Sequence, residues 1–271
     1  MPKRVKHQKG KFAEKQILNH EKRDNIEFND EFIYGKHSVL SYLSSGKQVN
    51  KLFLQKGLAG EQIGSIMDLV RRNGIVFQEV PKSKLDEMSD GGNHQGVVVA
   101  TPPFEYSQLE DAFNLARSQD EDLFLIILDG IEDPHNLGSI IRTADAVGVH
   151  GIIIPKRRAV GLTNVVAKTS TGAIEHVPII RVTNLSQTIQ KLQSEGVWVF
   201  ATDMIGEDMR KWNSSGPLAL VIGNEGQGVS DLVAKTADGK VTIPMIGHVQ
   251  SLNASVAAAV LMYEVARNRL K

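Results

Sequence analysis

The sequence predicts an α/β protein in two parts, a parallel-sheet domain at the carboxyl end and a smaller α/β domain before it. Three observations carry this. Strand-like and helix-like patterns alternate along most of the chain. Several strand segments of the second half, such as "LFLIILD" and "LALVIG", are almost unbroken aliphatic runs, which suits parallel strands covered by helices on both faces. Between the halves "TPPFEYSQ" interrupts the alternation, because Pro102 and Pro103 cannot continue a ladder.

Taken in order, residues 1–30 form a basic extension. Its first eleven residues hold Lys3, Arg4, Lys6, Lys9 and Lys11 with no acid and little to pack, the composition of a flexible arm. A solubilising tail and an RNA-contacting arm both fit it. Residues 31–101 read as the small domain: "GKHSVLSYLSSG" helix, "KLFLQ" strand, "EQIGSIMDLVRRNG" amphipathic helix closed by Gly74, "IVFQEV" strand, "KSKLDEMS" short helix and "GVVVAT" strand. Residues 102–121 form a linker in which Leu109, Ala112, Phe113 and Ala116 recur at helical spacing. Residues 122–271 alternate again, from "LFLIILDG" to a last helix over about Asn253 to Arg269.

Composition narrows the function. The chain has 271 residues, enough for a sizeable core. It has no cysteine, which excludes disulfides, thiol catalysis and cysteine-ligated metals and favours an intracellular setting. No apolar run approaches the length that spans a bilayer, so a cytoplasmic protein is expected. Lys plus Arg and Asp plus Glu both total 31, so any nucleic-acid surface has to be local.

Three strand ends carry unusual polar and glycine content. The first is "LDGIEDPHNLGSIIRTAD". Ile140, Ala144 and Val147 make an apolar stripe with Ser139, Arg142 and Asp145 on the other side, and Asn136 is expected in the loop before the helix. An Asn turn with an Arg142 to Asp145 pair explains the stretch as well as a site does. The second is "LALVIGNEGQGVS", where Gly223, Gly226 and Gly228 permit close backbone approach and Asn224 and Glu225 add polar groups. Its G-x-x-G-x-G spacing differs from the dinucleotide G-x-G-x-x-G, and no Gly-Lys-Ser/Thr follows to make a phosphate loop. The third is "VTIPMIGHVQSLNAS", leading into the small-residue helix "ASVAAAV". Ser251 and Asn253 suit a helix cap, and His248 reads as structural.

Together and in this order, "N-LGSIIRTA", "IGNEGQG" and "IPMIGHVQSLNAS" closely resemble the SpoU family of RNA ribose 2′-O-methyltransferases, and "NHQGVVVA", residues 93–100, resembles the end of the ribosomal-protein-like substrate-binding domain of one branch. The resemblance implies a trefoil-knotted parallel-sheet domain that takes S-adenosylmethionine, without a metal, among backbone groups around Thr202, Gly223, Ile243 and Leu252. It implies Arg142 as the catalytic arginine, Asn136 and Asn253 as orienting groups, and Glu225 and Ser251 as the rest of the pocket. A guanidinium scarcely loses its proton, so stabilising the developing alkoxide and gripping a phosphate is the alternative to a base role for Arg142. A homodimer is implied, and an RNA partner, with the branch pointing to a guanosine of 23S rRNA in the peptidyl-transferase region. Another rRNA or a tRNA ribose, and a noncatalytic RNA-binding protein, are the competing readings. Within the small domain His94, Gln95, Lys36, His37, Arg71 and Arg72 fit either RNA contact or ordinary turns and solvated helix faces.

Overall fold

The computed structural model describes residues 31–269. The basic extension, residues 1–30, lies outside them.

The first sheet is mixed, with strands β1 (Glu31–Tyr34), β2 (Lys51–Gln55), β3 (Phe77–Val80) and β4 (Val97–Thr101) in the order β1-β4-β2-β3. Strand β4 runs antiparallel to β1 and β2, and β2 runs parallel to β3. Helices α1 (Lys36–Ser44), α2 (Glu61–Arg72) and α3 (Lys82–Met88) connect them. The amphipathic reading of α2 is met: Ile63, Ile66 and Val70 are buried against Leu52, Val97 and Val99, and Gly74 takes the positive φ that ends the helix. Strand β1 is absent from the sequence reading. "EFIY" is four residues at a sheet edge, too short to display a period of two, and it exists because β4 supplies the ladder.

Helix α4 (Leu109–Gln119) leads to the second sheet, six parallel strands in the order β10-β8-β9-β5-β6-β7. These are β5 (Phe124–Asp129), β6 (Gly151–Pro155), β7 (Ile179–Val182), β8 (Trp198–Asp208), β9 (Leu218–Gly223) and β10 (Gly239–Thr242). Alternate residues of β5 serve opposite cores. Phe124, Ile126 and Leu128 pack with helices α5 (Pro134–Ala146) and α9 (Ala254–Arg269), whereas Leu125 and Ile127 pack with α4 and α7 (Leu185–Ser194). Short helices α6 (Asn164–Ser170) and α8 (Asp231–Thr236) complete the layers. Both faces of the sheet are therefore dry, the reason its strands are aliphatic throughout.

The chain winds outward from β5 to β6 and β7, then crosses to β8 and returns to place β9 against β5. That reversal makes a switch point at the carboxyl ends of β5 and β9, the place where open parallel sheets take ligands in a crevice.

A polar joint ties the two sheets together. Arg181 on β7 donates to the carbonyls of Val49 and Asn50, both at 2.8 Å. Asn50 Nδ2 donates to Leu162 O at 2.9 Å, and the Tyr106 hydroxyl donates to Asn50 Oδ1 at 2.6 Å while accepting from Leu162 N. Asn50 and Tyr106 are buried, so these bonds satisfy groups that water does not reach.

Candidate active site

The crevice is built by three loops. Strand β5 ends at Asp129, and the chain turns through Gly130 to Asp133, which caps α5 by accepting from His135 N at 2.8 Å, with Pro134 at the first helical position. Asn136 is thus in the first turn of α5, buried, and not in the preceding loop as the sequence suggested. The Asp-Pro pair starts the helix at Pro134, six residues before the apolar stripe begins at Ile140.

Beside it β9 ends at Gly223 and folds into the tight loop 224–228, where Asn224 and Gly228 exchange both backbone hydrogen bonds. A Cβ on Gly223 would stand 2.1 Å from Gly228 C and 2.2 Å from Val229 N, so only glycine fits. Two side chains fasten this loop to β5. Asn224 Nδ2 donates to Gly130 O at 2.9 Å, and Asp129 Oδ2 accepts from the Ser230 hydroxyl and amide at 2.6 and 2.9 Å. Asp129 escaped the sequence reading; its signal is a carboxylate ending an aliphatic strand, which gains meaning only once β9 is known to lie alongside.

The third loop, residues 243–253, leads into α9. Asn253 Oδ1 caps that helix, accepting from Ser255 N at 2.9 Å. Its amide donates to Asn136 Oδ1 and to Glu225 Oε1, each at 3.0 Å, while Asn136 Nδ2 donates to the same Glu225 oxygen at 2.5 Å. One residue from each strand-end motif therefore meets in a single triangle, and every amide orientation in it is dictated by a partner.

The remaining predicted site residues are not joined to this triangle by hydrogen bonds. Arg142 lies six positions beyond Asn136, about 120° around α5 and about 9 Å along it. It is exposed and makes no hydrogen bond or ion pair with any described residue; the suggested pair with Asp145 is not formed. Ser251 is exposed two residues before the cap, Leu252 is half-buried, and Ile243 packs against the core shared by α5 and α9. Thr202 sits where β8 departs from its neighbour: the β8–β10 register jumps from Ala201 to Glu207, so residues 202–206 bow outward. Lys240, 2.5 Å from Asp203 Oδ2, pins the bow and holds that carboxyl below its ordinary pKa. His248 is exposed.

In the small domain the turn "NHQG" is structural at His94. That ring is buried, Nδ1 accepts from Gly96 N at 2.9 Å and Nε2 meets Asp86 at 2.9 Å. Gln95 takes a positive φ of 51° and accepts from Lys36 N, His37 contacts Gln62, and Arg71 pairs with Asp68.

Among the described residues no group of His, Cys, Asp and Glu has metal-binding proximity, and no helix is long and apolar enough to cross a membrane. Residues 123–263 match the SpoU rRNA Methylase family, and residues 32–107 match the RNA 2′-O ribose methyltransferase substrate-binding domain. YacO of Bacillus subtilis, named for the TrmH family of tRNA/rRNA methyltransferases, is 50% identical over 240 residues, 88% of this chain and 96% of YacO. Two solved structures are similar. One is the SpoU methyltransferase AviRb of Streptomyces viridochromogenes in complex with AdoMet, 25% identical, with a TM-score of 0.55 over 88% of this chain and 90% of that one. The other is an AdoMet-bound rRNA methyltransferase of Sinorhizobium meliloti, 26% identical, with a TM-score of 0.53 over 89% and 88%. With both of its parts matched and half of the 240 residues aligned with YacO identical, the chain belongs to the SpoU (TrmH) family of RNA 2′-O-ribose methyltransferases.

Proposed function

We propose that this protein methylates the ribose 2′-hydroxyl of a guanosine in the peptidyl-transferase region of 23S rRNA, using S-adenosylmethionine. The observation that carries the reading is the Asn136, Glu225 and Asn253 triangle, which gathers all three strand-end motifs at the sheet's crevice. A protein that only bound RNA has no use for such a constellation.

The residues assigned to the cofactor fit it. Thr202 lies within β8, Gly223 ends β9 and Ile243 follows β10, three adjacent strands on one side of the sheet, and Leu252 precedes Asn253 of the triangle. Among the described residues, the backbone groups of Ile243 and Leu252 hydrogen-bond to no other backbone, leaving donors and acceptors for an adenine edge and an amino-acid head. Bound there, S-adenosylmethionine supplies a sulfonium-activated methyl group. Transfer of that methyl group to the ribose oxygen would leave a neutral thioether, with the hydroxyl proton passing to the substrate phosphate that Arg142 grips or to solvent. The chain's part is positioning and charge. Asn136 and Asn253, locked by Glu225, orient the reacting groups, Ser251 completes the rim, and Arg142 stabilises the developing alkoxide and grips a phosphate. The knot implied by the resemblance belongs to this reading.

A homodimer is part of the proposal as well. Ile205, Ile246, Val249, Val256 and Tyr263 are exposed apolar side chains around the third loop and α9, the kind of surface a second copy would cover. Light scattering should give twice the chain mass, and Val256→Glu should lower it.

Mass-spectrometric mapping of ribose methylation in unmodified 23S rRNA, 16S rRNA and tRNA, with S-adenosylmethionine, tests the whole. The expected result is one 23S guanosine, with Arg142→Ala and Arg142→Lys both inactive, because an ammonium has no bidentate fork. Methylated tRNA would replace the target and keep the chemistry; YacO's tRNA/rRNA name covers both targets. No methylation of any RNA would refute the proposal.

A further inference from the structure

The joint between the two sheets encloses a cavity of about 390 Å³ whose lining includes Lys47, Lys156 and Arg181 and contains no carboxylate. None of the three cations pairs with a carboxylate among the described residues. Arg181 spends its donors on carbonyls, which leave its charge uncancelled, and it lies 5.2 Å over the Tyr106 ring. Lys156 reaches across the joint, its ammonium 3.6 Å from where a Cβ of Gly74 would stand at the end of α2. Both domains thus contribute positive charge to one concavity, and hydrogen bonds to backbone carbonyls hold Arg181 in place.

Position adds to this. Lys156 follows β6 and Arg181 is the penultimate residue of β7, so the cavity lies at the same carboxyl edge of the sheet as the crevice. Three inter-strand steps separate β7 from β9, about 14 Å. The loop between them continues the charge through exposed Arg157 and Arg158, and Val160 N binds it to Ile131 O in the loop that enters α5.

We infer that the cavity is a binding site for a phosphodiester of the RNA strand, which grips the backbone on the far side of the target nucleotide and sets the strand's path between the two domains. The inference rests on the proposed RNA substrate but not on its identity, since phosphate contacts are sequence-independent.

Filter binding of an unmodified 23S rRNA transcript across a salt series, with full-length protein, provides the test. Lys156→Ala should lower the slope of log affinity against log salt by about 1, and Lys47→Ala with Lys156→Ala by about 2, with roughly tenfold weaker binding for the pair. Lys156→Arg should keep the slope, and Lys235→Ala, the same charge loss on exposed α8, should leave it unchanged. An unchanged slope in the double variant overturns the inference, whether or not its unfolding midpoint falls; a fall would make the cluster a domain joint only. In that event methylation by the wild type still upholds the enzyme reading. A reduced slope supports the site even where 23S rRNA is not methylated, and a wild type that binds no RNA defeats both.

Discussion

Replacing Asn253 by alanine removes three things at once. The cap of α9 goes, worth about 1 kcal/mol. Two hydrogen bonds to Asn136 and Glu225 go; because Asn253 and Glu225 are exposed, water recovers much of them, leaving about 0.5 kcal/mol. Asn136, 6% exposed, keeps its donor bond to Glu225 but loses the acceptor partner of Oδ1, at a cost of about 1 kcal/mol. The sum is about 2.5 kcal/mol. Urea unfolding followed by tryptophan fluorescence measures it where it arises, because Trp198 and Trp212, the chain's two tryptophans, both lie in the second domain. Trp212 is buried and packs edge-on to Phe200 at 5.0 Å, so its emission should report loss of that core. Asn253→Asp keeps the capping oxygen but sets a second carboxylate against Glu225, and Glu225→Gln should restore part of what that variant loses. If Asn253→Ala costs less than about 0.5 kcal/mol, or if its effect and that of Glu225→Ala simply add, the triangle is not an energetic unit.

Other expectations follow from single contacts. Gly223→Ala forces a methyl group onto the backbone of residues 228 and 229 and should destabilise the second domain by about 3 kcal/mol and abolish S-adenosylmethionine binding in calorimetry. Gly226→Ala, whose Cβ would lie 3.4 Å from Asn224 Oδ1, should do neither. His150 is buried between β5 and β6, where Nδ1 accepts from Phe124 N at 2.9 Å. Burial pushes its pKa below 6.5, against the opposing pull of Glu121. The unfolded chain therefore binds the proton more readily, so this contribution to stability is whole above pH 6.5 and is lost as pH falls through the depressed pKa. His150→Asn, which keeps an acceptor for Phe124 N, should flatten that acid limb in a pH series of unfolding midpoints.

Much of the fold was legible because burial is periodic. The run from Phe124 to Leu128 is aliphatic at every position because its two faces meet two cores, and α2 shows one apolar face because it covers one sheet. Strand β1 was hidden because four edge residues carry no period and borrow their ladder from β4. The outward bow of residues 202–206 was equally invisible, since it is a mismatch between two strands far apart in sequence.

The sequence by itself determined the alternation of elements, the break between the two parts and the three polar strand ends, since each follows from residue type over a few neighbours. Tertiary structure alone decided which of those ends touch. Insertion of β9 beside β5 brings Glu225 to Asn136 across 89 positions, and the packing of α9 on α5 adds Asn253 across 117. The pairing of Arg181 with Asn50 across 131 positions likewise places cations from both domains around one cavity. Hydrogen bonds of a few ångströms depend on strand order, and strand order is set by how the whole core packs, which no local window of residues contains.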